Sequence, residues 1–112
     1  MRHLAMTAGL FWLIGVPMSA QDAALAQNGK ALYEAKECDR CHMVAGKGYK
    51  DGKLDGVASK MSADDMRKWL TAPREMEAGL ETKPKVRMSS RKGMTLSDAE
   101  VSALVAYLRT LR

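Results

Sequence analysis

The pentapeptide Cys38-Asp39-Arg40-Cys41-His42 is the most informative stretch of this chain. It holds both cysteines of the 112 residues and places a histidine directly after the second one. Two thiols three positions apart can both reach the vinyl groups on one edge of a haem and form thioether bonds, while the adjacent imidazole points at the iron. The spacing therefore predicts one covalently attached c-type haem, with Cys38 and Cys41 as attachment residues and His42 as an iron ligand.

Three other uses of the two cysteines agree less well with the sequence. A thioredoxin-like redox pair needs a strand–helix–strand context, and no alternating strand pattern is present. A structural zinc site needs four ligands, whereas the chain after residue 26 offers only these two cysteines and His42, so a carboxylate would have to join them. A disulfide between Cys38 and Cys41 would close a very small loop and add little stability. Haem attachment is the favoured interpretation.

The beginning of the chain has the pattern of an export signal. A short polar start precedes an apolar run over residues 4–16, and small residues follow, with Ala24-Leu25-Ala26 as the cleavage motif and Ser19-Ala20 as an earlier alternative. The run is too short to cross a bilayer as a helix, which takes about 20 residues. We therefore expect residues 1–26 to be a cleavable signal and residues 27–112 to be one periplasmic domain without a permanent membrane anchor.

Loss of the signal would leave His42 as the only histidine, because His3 lies within it. The second axial position of the iron must then hold methionine, lysine, a solvent or exogenous ligand, or nothing. Methionine is favoured, since a thioether suits low-spin iron. Met88 is the preferred candidate because it lies in a long segment that can cross the distal face, and Met94 is an alternative with less slack before the last helix. Met43 is next to His42 and cannot reach the opposite face of the haem. Met61 and Met66 are assigned to helix packing. Met76 is a weaker candidate for the ligand, in the loop.

Composition and charge limit the other functions. The chain is 46% hydrophobic and 28% charged, which is typical of one small globular domain. Its net charge of +5 is lower than nucleic-acid binding usually requires but suits an acidic partner surface. A domain this small buries a modest core, so a large apolar cofactor is expected to complete it. Eight side chains are expected to surround the haem: Leu32, Val44, Leu54, Met66, Trp69, Leu70, Leu104 and Leu108.

Helical patterns appear in three places. The first covers residues 27–37, before the cysteines. In the second, Ser62 is the predicted N-cap, and Pro73 ends the helix. In the third, Ser97 and Glu100 form a capping box ahead of apolar residues at helical spacing.

The segments between these helices are predicted to be loops. They cover residues 46–56 and residues 74–95, and the second is long enough to wrap around a bound group. The predicted fold class is all-α, with three to four short helices around one covalently bound haem.

Together these features resemble a class I monohaem cytochrome c of the bacterial type, over residues 27–112. The resemblance implies the cytochrome c fold, in which the first helix crosses the terminal helix at a glycine, and it implies Met88 as the distal ligand. The matching residues, in order, are Gly29, Tyr33, Cys38, Cys41, His42, Trp69-Leu70-Thr71-Ala72-Pro73, Met88, Leu96-Ser97-Asp98-Ala99-Glu100, Leu104 and Tyr107.

The chain departs from this family in two places near the expected iron ligands. No proline lies between His42 and Pro73 to supply the carbonyl that accepts the histidine N–H, so a carbonyl within residues 46–56 is expected to do so. Ser89 follows Met88, where the family often has proline.

An iron with both axial positions filled changes oxidation state without access for a substrate, so an electron carrier and not an enzyme is expected. The sequence leaves two alternatives open: the haem subunit of a periplasmic dehydrogenase complex, and a ligand-binding haem with an open sixth position. The expected partners are redox proteins with an acidic docking surface, such as a dehydrogenase or a terminal oxidase. Residues 83–92, here called the basic segment, contain five cationic residues and no acid, and they would face such a partner.

Overall fold

The computed structural model describes residues 19–92 and 94–112. Two short strands, β1 (Met43–Val44) and β2 (Lys47–Gly48), pair antiparallel, and 3-10 turns cover Cys38–Arg40 and Met88–Ser90. The all-α class is confirmed, although the described residues form five helices and not three or four. No helix in this part of the chain has the length and apolar character needed to span a membrane. In chain order the elements are α1 (Ala20–Ala35), β1 (Met43–Val44), β2 (Lys47–Gly48), α2 (Val57–Lys60), α3 (Ala63–Thr71), α4 (Pro73–Ala78) and α5 (Asp98–Leu108).

Helix α1 begins earlier than the sequence pattern indicates. Its N-cap is Ser19, whose hydroxyl oxygen accepts the Asp22 N–H at 3.1 Å, and Ala26 is buried. The expected start at residue 27 is wrong, because the alanine-rich residues ahead of it also favour helix. Residues 1–18 of the predicted signal lie outside the described residues.

Pro73 separates two helices and also begins the second. Helix α3 ends at Thr71, as predicted, and its Ser62 cap accepts the Asp65 N–H at 3.1 Å. Pro73 is then the first residue of α4, where its missing N–H would have no helical partner in any case. The prediction of continuous loop from residue 74 is therefore wrong for α4 and for the turn at residues 88–90. Strands β1 and β2 were not predicted because two residues are too few to show alternation.

Helices α1 and α5 cross in close contact and form the centre of the fold. The crossing brings Gly29 against the backbone of Ala103, and the rings of Tyr33 and Tyr107 pack at a centroid distance of 5.6 Å. Helix α5 also packs against α3, and its capping box at Ser97 is present as predicted. The buried residues of the two core clusters are Tyr33, Leu104 and Tyr107 on one side and Met66, Val101 and Val105 on the other.

Candidate haem site

The cysteine–histidine motif forms a tight turn at the end of α1. Glu37 adopts the left-handed conformation, with φ of 54°, and ends the helix direction before the motif starts. The backbone N–H groups of Cys41 and His42 then both donate to the carbonyl of Cys38, at 3.2 and 3.0 Å. Both cysteines are free thiols and half-buried. The turn thus keeps the two thiols and the imidazole within one short stretch of backbone.

A backbone carbonyl orients the ring of His42. Nδ1 of His42 lies 3.1 Å from the carbonyl oxygen of Gly52. Because a carbonyl can only accept, Nδ1 carries the proton and Nε2 keeps its lone pair for a metal. Burial lowers the pKa of His42 from its usual value, against the opposing effect of this hydrogen bond, which favours the neutral ring. Gly52 lies within residues 46–56, so the expected source of the carbonyl is confirmed.

The loop that supplies this carbonyl packs directly on the motif. The Tyr49 N–H donates to the carbonyls of Asp39 and His42, at 3.1 and 3.0 Å. A Cβ at Gly48 would overlap the His42 carbonyl, and one at Gly52 would overlap the Cys41 carbonyl. Gly48 also has φ of +114°, which side chains rarely adopt. Two glycines therefore permit the close approach that positions the imidazole.

A cavity of about 630 Å³ opens beside Cys41 and His42. This volume falls within the range of cofactor sites, roughly 300–1,000 Å³. Within residues 19–92 and 94–112, the methionines that line this cavity are Met61, Met66 and Met88. Met94 does not line it. The lining residues are Cys41, His42, Tyr49, Asp51, Gly52, Leu54, Val57, Met61, Met66, Trp69, Glu77, Leu80, Pro84, Lys85, Val86, Met88 and Leu108.

The expected set of apolar neighbours divides into two groups. Four of the eight line the cavity, namely Leu54, Met66, Trp69 and Leu108. The other four pack around the Tyr33–Tyr107 contact as part of the core, namely Leu32, Val44, Leu70 and Leu104. Sequence periodicity could not separate the groups, because both consist of apolar residues on helix faces or in short loops.

Sequence reasoning did not predict Glu77 as a buried residue of the site, and it counted Arg91 in the basic segment without predicting its contacts. Glu77 in α4 is only 6% exposed and lines the cavity. Arg91 donates to the carbonyl of Glu37 at 3.1 Å and to the carbonyl of Lys36, which ties the basic segment to the end of α1. Burial raises the pKa of the Cys38 thiol, and the charge of Arg91 lowers it in part. No spacing signal marks either residue, because their partners lie far away in the chain.

The donor set of this site fits a covalently bound haem. Cys41, His42 and Met88 line the cavity, whereas Cys38 does not line it and packs against the Tyr33, Leu104 and Tyr107 cluster. Both thiols are free to form thioether bonds, His42 presents an unprotonated nitrogen, and Met88 supplies a thioether sulfur from a separate segment. The side chains between them are mostly apolar, as a porphyrin requires.

The comparison with known proteins agrees with this fit. A family model for cytochrome c matches residues 26–112. No curated protein and no solved structure is similar enough to count as a match. Fold and site together define a small haem protein of the electron-transfer class. The chain belongs to the cytochrome c family, as a class I monohaem cytochrome c, and such proteins carry covalently attached haem c and generally act as electron carriers.

Proposed function

We propose that this electron carrier holds its haem by thioether bonds to Cys38 and Cys41 and ligates the iron with His42 and Met88. The observation that carries the proposal is the cavity. Its walls bring Cys41 and His42 from the attachment turn together with Met88 from the distant basic segment. Neighbouring residues in sequence supply one side of the site, and tertiary packing supplies the other.

Met88 is favoured over the two other methionines at the cavity. Met66 is 2% exposed and packs against Val101 and Val105, and Met61 packs against the same cluster. Both side chains are therefore committed to the helical core. Met88 is half-buried in a turn outside the core clusters of the described residues, so its sulfur is available as a ligand.

Ligation by these two residues accounts for electron transfer without substrate chemistry. Bound haem supplies a one-electron iron couple. The Gly52 carbonyl keeps His42 in one tautomer, and His42 and Met88 would together ligate the iron, which would leave no open position for a substrate. Trp69 and Leu108 line the cavity wall and would shield a bound haem from water, which would limit solvent reorganisation when the oxidation state changes.

The optical spectrum of the haem-loaded protein tests the ligand assignment. We expect a far-red sulfur-to-iron charge-transfer band in the oxidised wild type, its loss in Met88→Ala, and its retention in the matched variant Met94→Ala. Intact mass should show one haem added to the exported chain, and none in a Cys38→Ala, Cys41→Ala double variant. A band that survives Met88→Ala, or a high-spin wild type, would overturn the assignment.

The proposed location is the periplasm, after removal of an N-terminal signal within residues 1–26. The proposed partner is a redox protein with an acidic docking surface, such as a dehydrogenase or a terminal oxidase. Support comes from the mouth of the cavity, where Leu80 and Val86 are exposed apolar side chains and Lys85 lies beside them. Exposed apolar side chains next to a cation suit brief association steered by charge.

A further inference from the structure

Glu77 is the only buried charged residue within residues 19–92 and 94–112, and both of its carboxylate oxygens contact one residue. The backbone N–H of Ser89 donates to Oε1 at 2.9 Å, and the Ser89 hydroxyl donates to Oε2 at 2.6 Å. Hydrogen bonds to a carboxylate are among the stronger ones in proteins. The peptide unit that follows Met88 is therefore held directly by α4.

The charge on this carboxylate is maintained by the same contacts. Both Ser89 hydrogen bonds lower the pKa of Glu77, with smaller contributions from Arg87 and Arg74, and burial opposes them. The ionised acceptor therefore persists at neutral pH.

Helix α4 is itself tied to the basic segment at a second point. Lys83 Nζ donates to the carbonyls of Glu77 and Ala78, at 3.1 and 3.4 Å, at the C-terminal end of α4. On the far side of Met88, Arg91 donates to the carbonyls at the end of α1. The backbone at Met88 is thus held between two anchors, and shifting this backbone away from the cavity would strain or break the Ser89 contacts.

We propose that Glu77 is a positioning residue that holds Met88 in place as the haem ligand, through Ser89, and so sets how strongly Met88 resists replacement by competing ligands. The inference depends on the proposed ligation by Met88. It also explains the residue at position 89. A proline there would have neither the N–H nor the hydroxyl that Glu77 accepts, whereas Ser89 supplies both.

Imidazole titration of the haem-loaded full chain tests this role. Glu77→Gln keeps the shape of the side chain but offers one oxygen where two accept now. We expect it to retain haem and helix content, to weaken the far-red band, and to bind imidazole roughly ten-fold more tightly, the factor that corresponds to losing one hydrogen bond to a charged group. Ser89→Ala should shift the affinity in the same direction, and adding it to Glu77→Gln should give less than the product of the two effects.

The controls separate positioning from general damage. Glu75→Gln removes an exposed acid from the same helix, and Ser90→Ala removes a neighbouring hydroxyl that donates to the Arg87 carbonyl instead. Both should bind imidazole like the wild type. If Glu77→Gln does not fold, Ser89→Ala alone carries the test.

Two kinds of failure are distinguishable. The positioning role would be overturned if Glu77→Gln bound imidazole as the wild type does, or if Ser89→Ala did so where only that variant folds. In that case the far-red band of the wild type would still support ligation by Met88. Persistence of the band in Met88→Ala would overturn the ligation itself, and with it the inference about Glu77.

Discussion

Gly29 in α1 lies directly against the carbonyl oxygen of Ala103 in α5, and a Cβ at position 29 would overlap that oxygen and the Cβ of Tyr107. The obstacle is mostly backbone, so it cannot rotate away as a side chain can. The crossing of the first and last helices therefore depends on this glycine.

We expect Gly29→Ala to lower the free energy of unfolding by about 1–3 kcal/mol, as overpacked core variants do. Gly79→Ala is the matched control, since a Cβ there would lie 3.6 Å from the Met76 carbonyl and Gly79 has φ of -80°. The free energy of unfolding of this control should be unchanged or should rise by up to about 1 kcal/mol, because alanine reduces the conformational entropy of the unfolded chain. Urea unfolding of the haem-loaded proteins measures both. Equal effects of the two variants would contradict the close-contact argument.

Tyr33 predicts an alkaline limit to stability. Burial raises its pKa to about 12, and its hydroxyl has no hydrogen-bond partner among the described residues. A neutral form favoured by folding contributes stability that is complete below pH about 10 and lost as pH rises towards 12. We expect Tyr33→Phe to reduce that alkaline loss and to change stability at pH 7 by no more than about 1 kcal/mol, since it removes an unpaired buried hydroxyl.

Thermal unfolding between pH 7 and 12 measures this effect. Tyr49→Phe, at a residue 44% exposed, is the control that removes a phenol without removing a buried one. An identical alkaline profile in wild type and Tyr33→Phe would show that Tyr33 does not set the limit.

The capping box of α5 predicts an acid-sensitive contribution to stability. The Ser97 N–H lowers the pKa of Glu100, helped by the charge of Lys36 at 3.5 Å. A depressed folded pKa means that this contribution is present above pH about 4.5, the usual carboxyl value, and is lost as pH falls through the folded pKa. Glu100→Gln should therefore be less stable than wild type at pH 7, and the difference should shrink towards pH 3.

The exposed Glu81→Gln provides the comparison for Glu100→Gln. Ser97→Ala should cost about 1 kcal/mol as a lost helix cap. A difference between wild type and Glu100→Gln that does not vary with pH would refute the role of the carboxylate charge in the box.

The basic segment predicts that electron transfer depends on charge. Lys85 and Arg87 are exposed, and Lys85 lines the cavity mouth. We expect oxidation of the reduced protein by the hexacyanoferrate(III) anion to slow as ionic strength rises, and to slow several-fold in Lys85→Glu at low salt. Lys30→Glu, at an exposed residue of α1, should have a smaller effect. An oxidation rate of the wild type that does not change with ionic strength would contradict charge steering.

The early start of α1 predicts where the proposed signal is cut. Cleavage after Ala26 would remove Ala26, which is buried, together with the first part of α1, whereas cleavage after Ala20 keeps nearly all of the helix. We expect intact mass of the exported protein to give Gln21 as the first residue. A first residue of Gln27 would show that the shorter helix is sufficient.

Features set by neighbouring residues were predictable from the sequence. The attachment motif needs only five consecutive residues, and the caps at Ser62 and Ser97 need a partner three positions away. The expectation of a carbonyl from residues 46–56, which came from the family resemblance, is confirmed by the contact between Gly52 and His42. Helix α4, which begins at Pro73, was not predicted. Proline ends a preceding helix but is also favoured as the first residue of a new one, and the prediction used only the first property.

The sequence by itself thus determined the chemistry of attachment, the helical class and the helix caps, since each depends on contacts within a few residues. Only the tertiary structure decided which methionines reach the cavity, that Glu77 holds Ser89 across twelve positions, and that Arg91 binds the end of α1 across 54 or 55. Such pairs follow no period along the chain. They form because the packing of α1 against α5 and of α4 against the basic segment brings them together.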